Sequence, residues 1–138
     1  MHRTERTLEK IFFGFDTQFF YLRIDLTPGK IKDFPHAGSI HLQFVSPVKG
    51  GLVLQFVDGM WCCRTIDWPG SSLAPHFAAK KIIEIGLPLE ALGVEKPREV
   101  TFFISVLDND RETERFPSSG FLAVPTDPWG LDQREWIV

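Results

Sequence analysis

From Leu8 to Leu26 the chain reads LEKIFFGFDTQFFYLRIDL, two apolar runs divided by Asp16-Thr17-Gln18. In the first run Ile11, Phe13 and Phe15 fall on alternate positions. In the second, Phe20, Leu22, Ile24 and Leu26 share one parity, while Phe19, Tyr21, Arg23 and Asp25 share the other. Successive side chains of a strand point to opposite faces, so this period of two predicts half-buried strands joined as a hairpin. One face of the hairpin belongs to a core. The other carries a tyrosine, an arginine and an aspartate in a row, and Asp25 is expected to pair with Arg23 or with a neighbouring strand.

The alternation recurs along the chain. After turn signals at Thr27-Pro28-Gly29-Lys30 and over 33–38, the run Ser39–Val45 sets Ile40, Leu42 and Phe44 against His41 and Gln43. Leu52–Val57 is a further strand with Gln55 on its polar face, and Asp58-Gly59 predicts a tight turn into an antiparallel return over 60–67. Residues 68–77 (WPGSSLAPHF) read as an exposed loop because of their prolines, glycine and serines. Ala79–Leu87 resumes the alternation, and Pro88–Gly93 reads as a single helical turn with proline near its start and glycine at its end.

Glu99–Leu107 is the longest apolar strand and is expected in the middle of a sheet. Asp108-Asn109-Asp110 turns it into Arg111–Phe116, whose alternating charges suit an edge that must not pair with other chains. Gly120–Val124 is a last short strand, and the tail 125–138 holds Trp129 and Trp136 among turn residues. Eight or nine short strands with almost no helix predict an all-β fold. The expected form is an antiparallel β-sandwich, jelly-roll or immunoglobulin-like, with one short helical turn near 88–92.

A length of 138 residues suits one domain with a continuous core. With 43% hydrophobic and 24% charged residues, the composition is that of an ordinary globular domain. A net charge of −3 with no basic run lacks the electrostatic footprint of a nucleic-acid binder. No apolar stretch approaches the length of a membrane span and no signal-peptide pattern opens the chain. A cytoplasmic protein without nucleic-acid or membrane partners is therefore expected. The polar residues 1–7 run straight into a strand, as in a piece cut from a longer polypeptide. Cys62 and Cys63 are adjacent and are the only cysteines, which excludes a disulfide framework and argues against a thiolate zinc site. On a strand, one of them points inward and the other outward.

Catalytic chemistry is not legible. No nucleophile-and-base motif, phosphate-binding glycine loop or zinc-binding histidine pair is present, so no catalytic residue, metal or cofactor is expected. His2, His36, His41 and His76 are scattered. Asp108-Asn109-Asp110 offers oxygen ligands but lacks the rest of a calcium loop, and a tight hairpin turn accounts for it.

A sheet surface is more informative. If the strands at 19–26, 39–45 and 51–57 are neighbours in that order, Tyr21, Arg23 and Asp25 share a face with His41, Gln43 and Gln55. Aromatic faces meet sugar CH groups, and such polar side chains bond hydroxyls. The plainer reading is a solvated face, or one covered by another domain. Of the four tryptophans, Trp68, before Pro69-Gly70, is the candidate exposed stacking platform, and Trp136 a terminal anchor.

The segments FFGFDTQFFYLRIDL, IIEIGLPLEALGV and TFFISVLDNDRETERFPSSGFL, in that order, resemble the β-sandwich domain C-terminal to the catalytic region in certain bacterial glycoside hydrolase family 57 proteins. Those proteins are related to α-amylases and glucanotransferases. The order is also similar to family 9 carbohydrate-binding modules and the wider DOMON-like sandwiches. The shared motifs are structural rather than catalytic. The resemblance implies a non-catalytic accessory domain, with the catalytic residues in a separate (β/α) barrel of the parent chain. Its implied partners are that catalytic domain and an α-glucan; the alternative is a purely structural domain that touches no sugar.

Overall fold

In a computed structural model the alternating runs form eleven strands. They are β1 (Leu8–Phe15), β2 (Phe19–Leu26), β3 (Gly38–Ser46), β4 (Gly50–Val57), β5 (Met60–Ile66), β6 (His76–Ala79), β7 (Ile82–Pro88), β8 (Glu99–Asp108), β9 (Arg111–Phe116), β10 (Leu122–Pro125) and β11 (Arg134–Ile137). The structure describes residues 7–15, 18–27, 38–46, 48–68, 76–79, 82–92, 99–125 and 134–137. The expected lead-in before Thr7, the turns over 28–37, the loop after Trp68, Gly93, Trp129, and the side chains of His76 and Trp136 lie outside what is described.

The strands make a sandwich of two antiparallel sheets, the first in the order β11-β1-β2-β7-β6 and the second in the order β10-β8-β3-β4-β5, with β9 also beside β8. The chain passes from one sheet to the other after β2, β5, β7 and β10. Each crossing lets one parity of every run face the opposite sheet. Phe20, Leu22, Ile24 and Leu26 of β2 are buried against Ile40, Leu42 and Phe44 of β3 and Val100, Phe102 and Ile104 of β8. Phe20 stands edge-on to Phe44 at 6.2 Å and to Phe102 at 5.6 Å, which locks the sheets together. Burying each such side chain contributes about 1.5–3 kcal/mol, and the inward parity is what makes the sandwich.

The hairpin turns follow the residues. Asp58 and Gly59 have φ of 51° and 79°, and Asn109 and Asp110 have φ of 52° and 63°. Two consecutive left-handed residues make the type I′ turn that matches strand twist, which Asp-Gly and Asn-Asp tolerate. The turn over 88–92 also forms: Ala91 N donates to Pro88 O at 3.0 Å and Leu92 N to Leu89 O at 3.1 Å. Leu89 N donates to Gln18 O at 2.8 Å, tying this turn to the β1–β2 hairpin.

Three details depart from the sequence pattern. Of the run expected as one strand over 79–87, residues 82–87 belong to β7, while Ala79 ends a separate strand, β6, that pairs with it and takes its other residues from the expected loop. The tail supplies β11. Short strands like these are held by a neighbour's backbone rather than by their own alternation. Finally, Glu114 on the charged edge strand β9 is not merely protective. Its carboxylate accepts from Thr7 N at 2.8 Å and from Leu8 N at 2.9 Å, joining the edge of the second sheet to the start of β1 in the first.

Candidate functional site

Because the chain crosses sheets after β2, that strand pairs with β1 and β7 and not with β3. Strand β3 pairs with β4 and β8 in the other sheet. The expected single constellation is therefore divided. Tyr21, Arg23 and Asp25 lie on the outer face of the first sheet; His41, Gln43 and Gln55 lie on the outer face of the second, on the opposite side of the sandwich. One small ligand cannot touch both groups. The assumption that 19–26 neighbours 39–45 fails because buried parity alone does not say which sheet a strand joins.

On the first sheet, the register sets Gly14, Tyr21 and Gly86 side by side across β1, β2 and β7. Glycine on both sides places no side chain next to the tyrosine in its row, and Tyr21 is 46% exposed. The next row is Phe12, Arg23, Glu84 and Ala78. Together these rows line an open groove of about 640 Å³. Phe19 extends the aromatic strip along β2, its ring centroid 5.8 Å from that of Tyr21.

The charges in and beside this groove are not equivalent. Arg23 donates from Nε to Asp25 Oδ1 at 2.7 Å and from one terminal nitrogen to Oδ2 at 3.0 Å, the expected pair in fork geometry. Its guanidinium also lies 4.8 Å from the centroid of the Phe12 ring. Glu84 is exposed on β7 opposite Arg23, yet it has no hydrogen-bond or ion-pair partner among the described residues. Asp25 thus orients Arg23, while Glu84 keeps its acceptor capacity.

The second outer face differs in kind. The Gln43 side-chain amide donates to Phe44 O at 3.3 Å and to Gly50 O at 3.2 Å, and its oxygen lies over Gly51. His41 Nε2 is 3.0 Å from Ser39 Oγ. Burial, and then the charge of Arg64, hold the His41 pKa below its ordinary value, while Asp110 acts in the opposite direction. Ser39, Val53 and Ser105, all of outward parity, are nonetheless buried, so the middle of this face is largely covered, with His41 and Gln43 partly exposed. Gln55 sits half-buried between Ser39 and Cys62. As expected for neighbours on a strand, Cys62 is exposed and Cys63 only partly so; burial pushes the Cys63 thiol up to about 11.

Trp68 is not the exposed platform its flanking turn residues suggest. It packs against the core, its ring edge-on to Phe44 with centroids 5.7 Å apart. A Cβ on Gly50 would come within 2.9 Å of the ring, so this glycine is a seat for the indole. Trp68 is better described as a plug at one end of the sandwich.

Phe12, Gly14, Glu84 and Gly86 are the groove residues that single-strand reading overlooks. Gly14 stands opposite Tyr21 because the register runs Phe15 to Phe20, one residue off a hairpin centred on Asp16-Thr17-Gln18. Glu84 and Gly86 come from a strand some 60 positions away, and no local signal assigns them to this face. Among the described residues, no group of three or more His, Cys, Asp or Glu gathers as a metal site. No protein-family model matches the chain, and neither a curated protein nor a solved structure does.

Proposed function

We propose that this chain is a non-catalytic carbohydrate-binding domain that holds a sugar on the outer face of its first sheet, in the groove around Tyr21. The observation that carries this reading is the exposed Tyr21 ring set between Gly14 and Gly86. A pyranose laid on that ring places its CH groups on an aromatic face, a contact worth about 0.5–1.5 kcal/mol by analogy with aromatic pairs. Its hydroxyls then reach the row containing Arg23 and Glu84. Of the residues singled out in the sequence, Tyr21, Arg23 and Asp25 remain in the proposal, Asp25 as the group that orients Arg23. Trp68, His41, Gln43 and Gln55 leave it. The resemblance to family 57-like glycoside hydrolases extends the proposal to a parent chain with a separate catalytic domain and an α-glucan as the first ligand to try.

Electrophoresis through gels containing amylopectin, glycogen or another neutral glucan tests the proposal. Retardation in at least one gel, relieved by Tyr21→Ala with folding intact, is the expected result. Unretarded migration in all of them would sink it.

A second reading rests on a different surface. At the β4–β5 turn Met60 is 69% and Val57 46% exposed, beside a cleft lined by Phe56, Trp61, Phe77 and Ala79. Exposed apolar area of this sort suits a face covered by the parent's catalytic domain. Met60→Asp would weaken that docking and leave glucan retardation unchanged, which separates the two readings.

A further inference from the structure

We propose that Glu84 is the specificity-determining residue of the Tyr21 groove, restricting it to neutral carbohydrate and turning away sugars that carry carboxylate, sulfate or phosphate. The inference rests on the carbohydrate-binding reading above and adds the charge class of the ligand and the residue that sets it.

Polar groups of the Arg23 row are unequally committed. Arg23 gives two of its donor nitrogens to Asp25, so its positive charge is already faced by a carboxylate. Its flat face is turned to Phe12. Glu84 lies directly across from Arg23 in the register, and its carboxylate is without a partner among the described residues. On its other side stands Ala78, whose small methyl group lines the same groove.

An ionised carboxylate is an acceptor only, with two oxygens set to take two parallel hydrogen bonds. Vicinal hydroxyls on a sugar ring are donors at that spacing. A ring resting on Tyr21 with one diol edge toward β7 satisfies both Glu84 oxygens while its CH face covers the tyrosine. An anionic sugar in the same position brings a second negative charge to a carboxylate that makes no ion pair among the described residues, the facing Arg23 being engaged by Asp25. Two like charges in contact repel even in bulk water, and more strongly in a groove with apolar walls. Rejection of the wrong ligand thus comes from a repulsive element as well as from better contacts to the right one.

Titration calorimetry on the full chain tests this with size-matched neutral and anionic probes. These are an α-linked and a β-linked neutral glucose hexasaccharide and a galacturonic acid hexasaccharide, each measured at low and high salt. The expected outcome is that wild type binds at least one neutral hexasaccharide at least about fivefold more tightly than the uronate, the discrimination shrinking as salt screens it. Glu84→Gln keeps the shape and part of the hydrogen bonding but removes the charge, so the neutral-to-uronate ratio falls toward one. Equal binding of neutral and uronate probes by wild type overturns the role of Glu84 and leaves the carbohydrate reading standing. So does a ratio unchanged by Glu84→Gln. If wild type binds no probe, the carbohydrate reading itself fails, and this inference with it. Glu84 is exposed, so the variant keeps its fold, and an unchanged urea midpoint checks that.

Discussion

The two outer faces of the sandwich carry similar residue types and have opposite fates. Each presents an arginine beside an aromatic ring and several polar side chains. On the second sheet most of those groups bond within the protein, although Gln55 and Arg64 lack a hydrogen-bond partner among the described residues: Gln43 to two backbone carbonyls, His41 to Ser39, and Arg115 to Pro117 O at 3.2 Å and Gly120 O at 2.6 Å. Arg115 also lies 3.9 Å above the Phe103 ring centroid. On the first sheet the tyrosine stands exposed between glycines and Glu84 is left unpartnered among the described residues. A row of polar residues is therefore no measure of a binding face. What matters is whether their hydrogen-bonding capacity is already used, since capacity used inside the protein stabilises the fold and is unavailable to a ligand.

This contrast is open to experiment, because changes on the second face should alter stability and changes on the first should alter binding. The largest effect is expected on the inward side of the second sheet, at Gly50, where the indole of Trp68 occupies the space a side chain needs. Gly50→Val should lower stability by about 2–3 kcal/mol through overpacking, read as a fall in the urea midpoint. Arg115→Ala should cost about 2 kcal/mol, since it leaves two loop carbonyls without their donor and removes the stacking on Phe103. Neither change should abolish glucan retardation.

A smaller and more diagnostic pair is Gln43→Ala with Tyr21→Ala. The first should lose about 1 kcal/mol of stability with binding unchanged. The second should weaken binding about fivefold, or about 1 kcal/mol, with the urea midpoint barely moved. If both variants behave alike, the distinction between the faces fails.

The smallest effect is a pH dependence belonging to the second face alone. His41 in the folded protein titrates below its ordinary value of 6.5, chiefly because of burial and then because of Arg64. As pH falls through that value the unfolded chain takes up the proton first, so the unfolded state binds more protons and folding stability declines. The decline ends once folded His41 protonates as well. Urea midpoints measured from about pH 7.5 down to about pH 5 should show a slope that His41→Gln reduces, while sugar binding at Tyr21 stays level through His41's range.

Much of this architecture was legible because it is local. The parity of β2, the type I′ turns at Asp58-Gly59 and Asn109-Asp110, and the turn after Pro88 each depend on residues close together in the chain. The errors were of another sort. Trp68 sits among turn formers, which usually signal exposure, but the neighbouring strand provides Gly50 beneath its ring. The charged pattern of β9 suggests a protective edge and conceals the use of Glu114 across both sheets.

The Tyr21, Arg23 and Asp25 row thus has a divided origin. The sequence by itself determined that these three share a face, that Arg23 and Asp25 are close enough to pair, and that Phe20 to Leu26 turn the other way into a core. Period-two geometry acts within a single strand and needs no partner. Only the tertiary structure decided what stands beside the row: β7, with Gly86 to uncover the tyrosine and Glu84 to face the arginine, rather than β3 with His41 and Gln43. An alternating strand is compatible with either sheet. The choice is made by which crossings bury all the inward rows together, a condition on the whole chain that no single run contains.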